Sequence, residues 1–558
     1  MKTSIPKDYD FCDRIKLVRS IQRTEGEPAT EALRGSTMDA NTNRKPKILM
    51  ITPEATYLPQ ASDRLYQIIG ARAGELADIS AGLIHSLYDL QVDVHVAIPD
   101  YRNVFQKNSL PVNSVEHLRR YERLPSACVH RAEDRSFFYR PSLSSLPVRE
   151  NIRIALAFQR EVINRIIPEV RPDLIHCFDW MTGLIPAVTR QFGIPCLFTL
   201  YHPHTVKVTL AAIEEQGIDA ASFWQKCYFE HMPGSYESTR GANPVDFLVS
   251  AVFAAHFVNL VSRSFLVQLI ETEDYDIEPS LRQELHHKSA SGCLSVIEHA
   301  PDPTYNPACD RLLCRRYTPE NQETGKAFNK LHLQEKLGMP LDTGAPLFLW
   351  PGRLDKSSNR CRLLAETLPA LLHRHAAMRP QVLFVADGDF QNELRRLVRD
   401  MDAADQVVVT EFNSKLQRIA YAAADFVLLP AGHVPCGLAC KIAQRYGALP
   451  IAHGAGAIRD VLIHLDCSKN SGNGFIFNNL DVNGLLWAVE EAMTFYRAPR
   501  TVRRAQLNRL MAESLRKYDH SQTVNQYVRL YEALLQRPFV RHDSGDRKDP
   551  DSMMQSAA

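Results

Sequence analysis

Short apolar runs alternate with amphipathic segments through most of the chain. Apolar runs bounded by Pro, Asp or Gly are typical of buried strands, and apolar residues at every third or fourth position are typical of helices. Strand, helix and strand in succession form a right-handed unit with parallel strands. We therefore predict an α/β fold that begins with a doubly wound parallel-sheet domain in residues 46–292. Its predicted strands are residues 47–52, 92–98, 173–176, 196–200 and 257–261, and its predicted helices are residues 77–90, 152–167, 183–192 and 247–256.

The same alternation starts again at the apolar run LFLW and predicts a second domain of the same kind in residues 346–515. The segment between the two domains, residues 293–345, is rich in Pro, Arg and Lys and has one predicted helix at 326–337, so we interpret it as an interdomain linker. The strands predicted for the second domain are residues 347–350, 382–385, 406–410, 426–429 and 450–452, and the helices are residues 363–375, 392–401, 415–423, 436–445 and 483–496.

The two ends of the chain differ from the domains. Residues 1–45 are polar without a sustained period and predict a mobile tail, and the charged, small residues of 538–558 predict a disordered one. Before the second tail, residues 516–537 contain a helix with one apolar face, which needs a surface to pack on. That face consists of Val524, Tyr527, Val528, Tyr531 and Leu534.

Composition and charge argue against several classes of partner. The 65 Lys and Arg residues balance 64 Asp and Glu, so a net charge of +1 gives no general attraction to nucleic acid or acidic membranes. The chain has no apolar run near the ~20 residues needed to cross a bilayer, and its N-terminus lacks the apolar core of a signal peptide. Twelve cysteines without a CxxC pair indicate reduced thiols, and Cys436 and Cys440 are interpreted as packing residues. We expect a cytoplasmic protein without nucleic-acid or membrane partners.

Residues 422–460 contain two consecutive strand, loop and helix units. The first loop is rich in Gly and Pro and leads into a helix near Cys436, and the second, Gly454 to Gly456, leads into a helix that begins at Ile458. The unpaired backbone N–H groups and the dipole at a helix N-terminus favour an anion. Because both loops leave one sheet edge, we predict an anion site here, and a nucleotide diphosphate is the anion that we expect.

The sequence predicts neither a metal site nor a cofactor. The nearest approach to a ligand set is His202 and His204 with Glu230 and His231, but their spacing matches no metal-binding pattern.

The HVPCGL motif at residues 433–438 resembles the Phe-Glu-Pro-Cys-Gly-Leu segment of the bacterial glycogen synthase and plant starch synthase family. The segment PDLIHCFDWMTGLIP at 172–186 resembles the family's His-Asp-Trp-His segment, and residues 306–348 resemble its interdomain segment. The chain is identified as a member of this family over residues 47–535. Further segments that fit are PEATYL at 53–58, DVHVAIPDY at 93–101, GRLDKSS at 352–358, ADGD at 386–389, NGFIF at 473–477 and the helix at 518–535.

This resemblance implies a fold and an activity. The fold is the GT-B type, in which two Rossmann-like domains face each other and close over the donor, while the final helix crosses back to the first domain. The activity is transfer of glucose from ADP-glucose to the nonreducing end of an α-1,4-glucan, with retention and without a metal. The expected partners are therefore ADP-glucose or a related nucleotide sugar and an α-glucan acceptor.

The resemblance also implies catalytic positions, which this sequence fills only in part. Arg353 matches the family's diphosphate-binding Arg, and Asp179 matches the Asp of its His-Asp-Trp-His segment. The family's Lys falls at Ser358, with Lys356 two positions away. Val434 stands where the family has a Glu that contacts the glucosyl unit, and valine accepts no hydrogen bond from a sugar hydroxyl.

The family resemblance also implies which residues contact the donor. Phe412 stands at the position of a Tyr that stacks on adenine and retains an aromatic face. The family's Lys-Thr-Gly-Gly-Leu loop aligns with residues 72–76, where Glu75 places a carboxylate at a Gly position and would repel the diphosphate if it points inward. The donor-binding residues implied are Arg72, Gly74, Gly388, Phe412, Pro435, Cys436, Gly437, Leu438 and Gly456.

Three functions remain open at this point. The first is glucan synthesis from ADP-glucose. The second is a catalytically weak or inactive family member that binds glucan or nucleotide sugar as a scaffold or regulator, because loss of one preorganised contact costs ~10²–10³ in rate. The third is a glycosyltransferase with a rebuilt site for another sugar or acceptor.

Overall fold

Two parallel β-sheets, each covered by helices, form the body of the protein. The computed structural model describes residues 44–55, 75–101, 125–138, 148–271, 277–356, 359–432 and 434–538. The two predicted tails, apart from residues 44, 45 and 538, lie outside these described residues.

The first domain contains a parallel sheet of seven strands within the described residues, in the order β3-β2-β1-β4-β5-β8-β9. Its central strands are buried along their whole length, as expected where helices cover both faces. The strands are β1 Lys47–Ile51, β2 Asp93–Pro99, β3 Val129–Ala132, β4 Leu174–Phe178, β5 Cys196–Leu200, β8 Phe257–Leu260 and β9 Leu294–Val296, and a separate antiparallel pair is β6 Lys207–Val208 and β7 Val245–Asp246.

The described helices of this domain lie between those strands. A π-helical turn, Val162–Ile166, joins α2 to α3 without a break. The helices are α1 Glu75–Asp89, α2 Val148–Glu161, α3 Ile167–Val170, α4 Ile185–Phe192, α5 Leu210–Glu215, α6 Tyr236–Arg240, α7 Phe247–Ala254, α8 Arg263–Glu271 and α9 Pro279–Ala290.

The second domain repeats the plan with a parallel sheet of six described strands, in the order β12-β11-β10-β13-β14-β15. The linker contributes helix α10 Gln322–Leu337, whose Lys326 donates hydrogen bonds to carbonyl groups of this domain. The strands are β10 Leu347–Trp350, β11 Gln381–Val385, β12 Val407–Thr410, β13 Phe426–Leu429, β14 Leu449–His453 and β15 Phe475–Phe477. The helices are α11 Asn359–Arg374, α12 Gln391–Asp400, α13 Ser414–Ala423, α14 Leu438–Arg445, α15 Ile458–Val461, α16 Val482–Arg497, α17 Arg500–Lys517 and α18 His520–Leu535.

The predicted fold class is confirmed, since both sheets are parallel and doubly wound. The hydrophobic pattern did not predict α9 and α17, because both helices are predominantly polar and bury only a few side chains. Strand β9 lies just beyond the boundary that we predicted at residue 292, and its three residues are only half-buried at the edge of the first sheet.

The last helix, α18, crosses back to the first domain and buries the aromatic face that the sequence predicted. Tyr527 and Tyr531 are fully buried. The Tyr531 hydroxyl lies 2.7 Å from Nδ1 of His176, and the Tyr527 hydroxyl accepts a hydrogen bond from Asn259 and lies 2.9 Å from Nε2 of His299. Because these partners lie in the first domain and the segment after it, α18 holds the end of the second domain against the first.

Tyr531→Phe should lower the free energy of unfolding by about 1–2 kcal/mol, because it leaves Nδ1 of the buried His176 ring without the tyrosine hydroxyl. Urea unfolding measures the change. Tyr88→Phe is the matched control, since this half-buried tyrosine makes no side-chain hydrogen bond within the described residues, and it should change stability by less than about 0.5 kcal/mol. Equal effects of the two substitutions would show that the interdomain hydrogen bond contributes nothing.

Candidate active site in the interdomain cleft

A cavity of about 1020 Å³ lies between the two domains. The first domain contributes the segments that follow β1 and β4, including Glu54 and Asp179, and the second contributes Arg353 after β10 and the N-terminus of α14. These are the carboxyl ends of the strands in both sheets, where ligands bind in open α/β folds. The volume is sufficient for a nucleotide sugar.

The loop before α14 keeps the predicted cradle of backbone groups. Strand β13 ends at Leu429, just before Pro430, and Gly437 caps α14 in a left-handed conformation with φ 65°. Pro435, Gly437 and Leu438 line the cavity. The N-terminus of α14 therefore faces the cleft, as its sequence position implied.

The helix that begins at the second predicted N-terminus, α15, is much shorter than α14. Helix α15 is only four residues long, and the amide N–H of Ala457 donates to the carbonyl oxygen of Val434 at 2.8 Å. Gly456 has φ 52°, and a Cβ there would lie 2.4 Å from that same carbonyl oxygen, so glycine is needed for packing. Gly456 is not among the described residues that line the cavity, and its role in donor binding stays a prediction.

Glu75, the first residue of α1, reaches across the cleft to the N-terminus of α14. Its Oε1 accepts a hydrogen bond from the backbone N–H of Ala439 at 3.1 Å. Its Oε2 accepts from the Tyr201 hydroxyl and from the Cys436 thiol, both at 3.0 Å. The carboxylate therefore points inward, onto the helix end where the sequence predicts the diphosphate.

Arg353 lies in the cleft with an acidic partner that the sequence analysis did not foresee. Its Nε and Nη2 lie 3.0 and 3.1 Å from the carboxylate of Asp355, a two-pronged ion pair. Lys356 points elsewhere, because its Nζ lies 2.7 Å from Glu393 on α12. Of the three basic side chains considered for the diphosphate, Arg353 lines the cavity, Lys356 does not, and Arg72 lies outside the described residues.

Gly388 positions the Arg353 loop and does not line the cavity. A Cβ at Gly388 would lie 2.0 Å from the carbonyl oxygen of Leu354, and the backbone φ is 151°. The neighbouring Asp387 accepts a hydrogen bond from the backbone N–H of Phe412. Phe412 also lines the cavity.

Asp179 follows β4 with a backbone φ of 63°, a conformation that non-glycine residues rarely adopt. Its carboxylate accepts from the N–H of Trp180 at 3.0 Å and lies 3.0 Å from Nδ1 of His202. Burial alone would lower the pKa of His202, but the hydrogen bond and charge of Asp179, with Glu54 and Glu75 nearby, raise it above its ordinary value. The cleft thus holds a hydrogen-bonded pair of Asp179 and His202 beside the strand end.

Trp350 supplies an unused hydrogen-bond donor. It is 2% exposed and lines the cavity, and its indole N–H has no acceptor among the described residues. Because buried donors are nearly always paired, this buried and unpaired N–H group is an exception.

The described lining of the cavity is acidic. Only two guanidinium groups, those of Arg353 and Arg360, face six carboxylates. Like charges gathered in a cleft produce a field that disfavours ligands of the same sign. The carboxylates belong to Glu54, Glu75, Asp78, Asp179, Asp355 and Asp387.

The remaining predicted site residues fall into two groups. Arg72, Gly74 and Ser358 lie outside the described residues. Cys436 is buried behind the loop, and burial together with the Glu75 carboxylate raises the pKa of its thiol well above the ordinary range. Sequence reasoning missed Asp355, His202 and Trp350, although the short spacing of Arg353 and Asp355 was a usable signal.

Within the parts of the chain that the structure describes, no cluster of three or more His, Cys, Asp or Glu side chains is arranged to hold a metal ion. None of the described helices is long and apolar enough to span a bilayer.

Two family models match the chain in the order of its domains. The starch synthase catalytic domain matches residues 47–283, and the glycosyl transferases group 1 domain matches residues 345–494. Together with the two facing sheets and the cleft between them, these matches define a glycosyltransferase of the two-domain GT-B class. Within that class, the chain belongs to the glycogen synthase and starch synthase family.

Similar proteins agree with this assignment. The glycogen synthase of Syntrophotalea carbinolica is 27% identical over 447 residues, which cover 77% of this chain and 90% of that protein. The glycogen synthase of Geobacillus thermodenitrificans is 26% identical over 490 residues, which cover 84% and 96%.

The fold is also shared with solved structures. The catalytic domain of starch synthase IV from Arabidopsis thaliana, bound to ADP and acarbose, has a TM-score of 0.70 at 20% identity and covers 88% of this chain and 100% of that one. Sucrose-phosphate synthase from Thermosynechococcus elongatus has a TM-score of 0.54 at 19% identity, with coverage of 88% and 100%.

The raised pKa of His202 predicts a pH-dependent contribution to stability. The Asp179 pair stabilises the fold fully below the unfolded pKa of about 6.5 and is lost as pH rises through the higher folded pKa. His202→Gln should therefore cost more free energy of unfolding at pH 5.5 than at pH 9, as measured by urea unfolding.

His204→Gln is the matched control, because burial and the neighbouring His202 lower the pKa of His204. Folding then opposes protonation of His204, so this substitution should cost less at pH 5.5 than at pH 9. The same pH trend in both variants would contradict the assignment of the raised pKa to the Asp179 pair.

Proposed function

We propose that this chain transfers glucose from ADP-glucose, or a related nucleotide sugar, to the nonreducing end of an α-1,4-glucan with retention. The observation that carries the proposal is the placement of Arg353 and the α14 N-terminus on one cleft between two family domains. The names of the relatives as glycogen synthases, and the ADP and acarbose in the starch synthase IV complex, support the donor and acceptor classes.

In this proposal the diphosphate is the leaving group, so negative charge develops beside the second domain. The Arg353 guanidinium stabilises that charge after exchanging Asp355 for a phosphate oxygen. The backbone N–H groups at the start of α14 add neutral donors that need no side chain.

The glucosyl unit lies, in the same proposal, between the two strand ends. Asp179 and His202 form the polar wall on the first domain, and Asp179 accepts hydrogen bonds from sugar hydroxyls. Val434 lines the cavity but makes no polar contact with the glucosyl unit, so turnover is slow.

A second candidate function is supported by specific observations. Six carboxylates in the described lining, the pairing of Arg353 with Asp355, and Val434 at the family's Glu position all weaken donor binding or transfer. They favour a catalytically weak or inactive member that binds a neutral glucan as a scaffold or regulator.

Val434→Glu should raise the rate of glucose incorporation from ADP-glucose into glycogen by about 10–100-fold, because it restores an acceptor for the glucosyl hydroxyls. Purified wild-type protein should incorporate glucose above a boiled control. Val434→Leu, of similar polarity to the native residue, is the matched control and should leave the wild-type rate within about twofold.

The two candidate functions give opposite results in this assay. No incorporation by wild type or Val434→Glu, together with glucan binding by the wild-type protein, would reject the transferase and support the scaffold.

A further inference from the structure

Glu75 is an anion that the protein itself places at the N-terminus of α14. We infer that its carboxylate occupies the position of the donor's diphosphate and sets donor affinity by competing for it. The inference rests on the proposed use of this helix end for the donor.

The carboxylate satisfies the donors that a phosphate would use. Oε1 accepts the Ala439 N–H, and Ala439 is the second residue of α14, where amide groups have no partner inside the helix. A phosphate at the same point loses this donor and lies beside a fixed negative charge. Both effects reduce the affinity of the site for the phosphate.

Two buried donors fix the Glu75 side chain in this position. Tyr201 is 2% exposed and Cys436 is 1% exposed, and each donates to Oε2 at 3.0 Å. Burial, with the nearby Glu75 carboxylate contributing, raises the pKa of both groups well above their ordinary values, so both remain protonated donors. The arrangement therefore holds one specific rotamer in place.

Contacts other than those of Glu75 also hold the two domains together. Asp460 of the second domain contacts the start of α8 in the first domain. Its carboxylate accepts hydrogen bonds from the Ser264 N–H at 2.8 Å and from the Ser262 hydroxyl at 2.7 Å. Helix α18 adds a further connection between the domains. Removal of the Glu75 charge therefore changes the occupant of the helix end while the cleft stays formed.

The test is calorimetric titration of the full-length protein with ADP and, separately, with adenosine. Glu75→Gln should tighten ADP binding by at least about tenfold, and Glu75→Ala by at least as much, because each removes the competing charge. Adenosine has no phosphate, so its affinity should change by less than about twofold. Asp78→Asn removes one charge from the same helix and the same cleft, and it should tighten ADP binding by less than about threefold.

Each outcome decides the inference. ADP binding to Glu75→Gln and Glu75→Ala that is no tighter than to wild type, or no ADP binding to any of the proteins, overturns it. An equal gain with Asp78→Asn also overturns it, since general cleft charge would then explain the effect. Tighter ADP binding without any glucose incorporation supports the inference while rejecting the proposed transferase.

Discussion

Burial of the α18 aromatic face in the first domain is the constraint on which the cleft depends. Tyr527 and Tyr531 are fully buried and hydrogen-bonded to groups outside the second domain. Their burial packs the last helix against the first domain, so the carboxyl ends of the two sheets stay opposite each other. Only with that approach can Glu75 on α1 reach the Ala439 amide on α14, more than 300 positions later. The role of Glu75 can therefore be understood only together with its partner across the domain boundary.

Most polar groups of the described cleft residues already have a hydrogen-bond or ion-pair partner within the protein. Arg353 has Asp355, the α14 amide has Glu75, and Asp179 has His202. A ligand must exchange these internal partners for its own groups, and an anionic ligand gains least from that exchange because carboxylates outnumber guanidinium groups in the described lining. The family fold is thus retained, while the balance of charge in the cleft favours neutral ligands more than the fold alone suggests.

The sequence predicted the alternation of strands and helices well, because buried parallel strands are continuous apolar runs. Helix α9 escaped prediction since it is polar on most faces. The resemblance identified Arg353 and the Pro435 to Leu438 backbone, whose positions follow from the order of strands. The ion pair of Arg353 with Asp355 was signalled only by the short spacing of the two residues, and the Glu75 contact could not be identified because it depends on the approach of two separate domains. Arg72, Gly74 and Ser358 stay predictions, as do the roles assigned to the other site residues.

A crystal structure of the full-length protein with ADP tests the central claim, that this cleft is a nucleotide-sugar site whose phosphate position is held by Glu75. We expect a phosphate oxygen within hydrogen-bond distance of the Ala439 N–H, Arg353 turned from Asp355 to the diphosphate, and the Glu75 carboxylate displaced from α14. ADP bound outside the cleft, or bound within it while Glu75 still accepts the Ala439 N–H, would contradict the account.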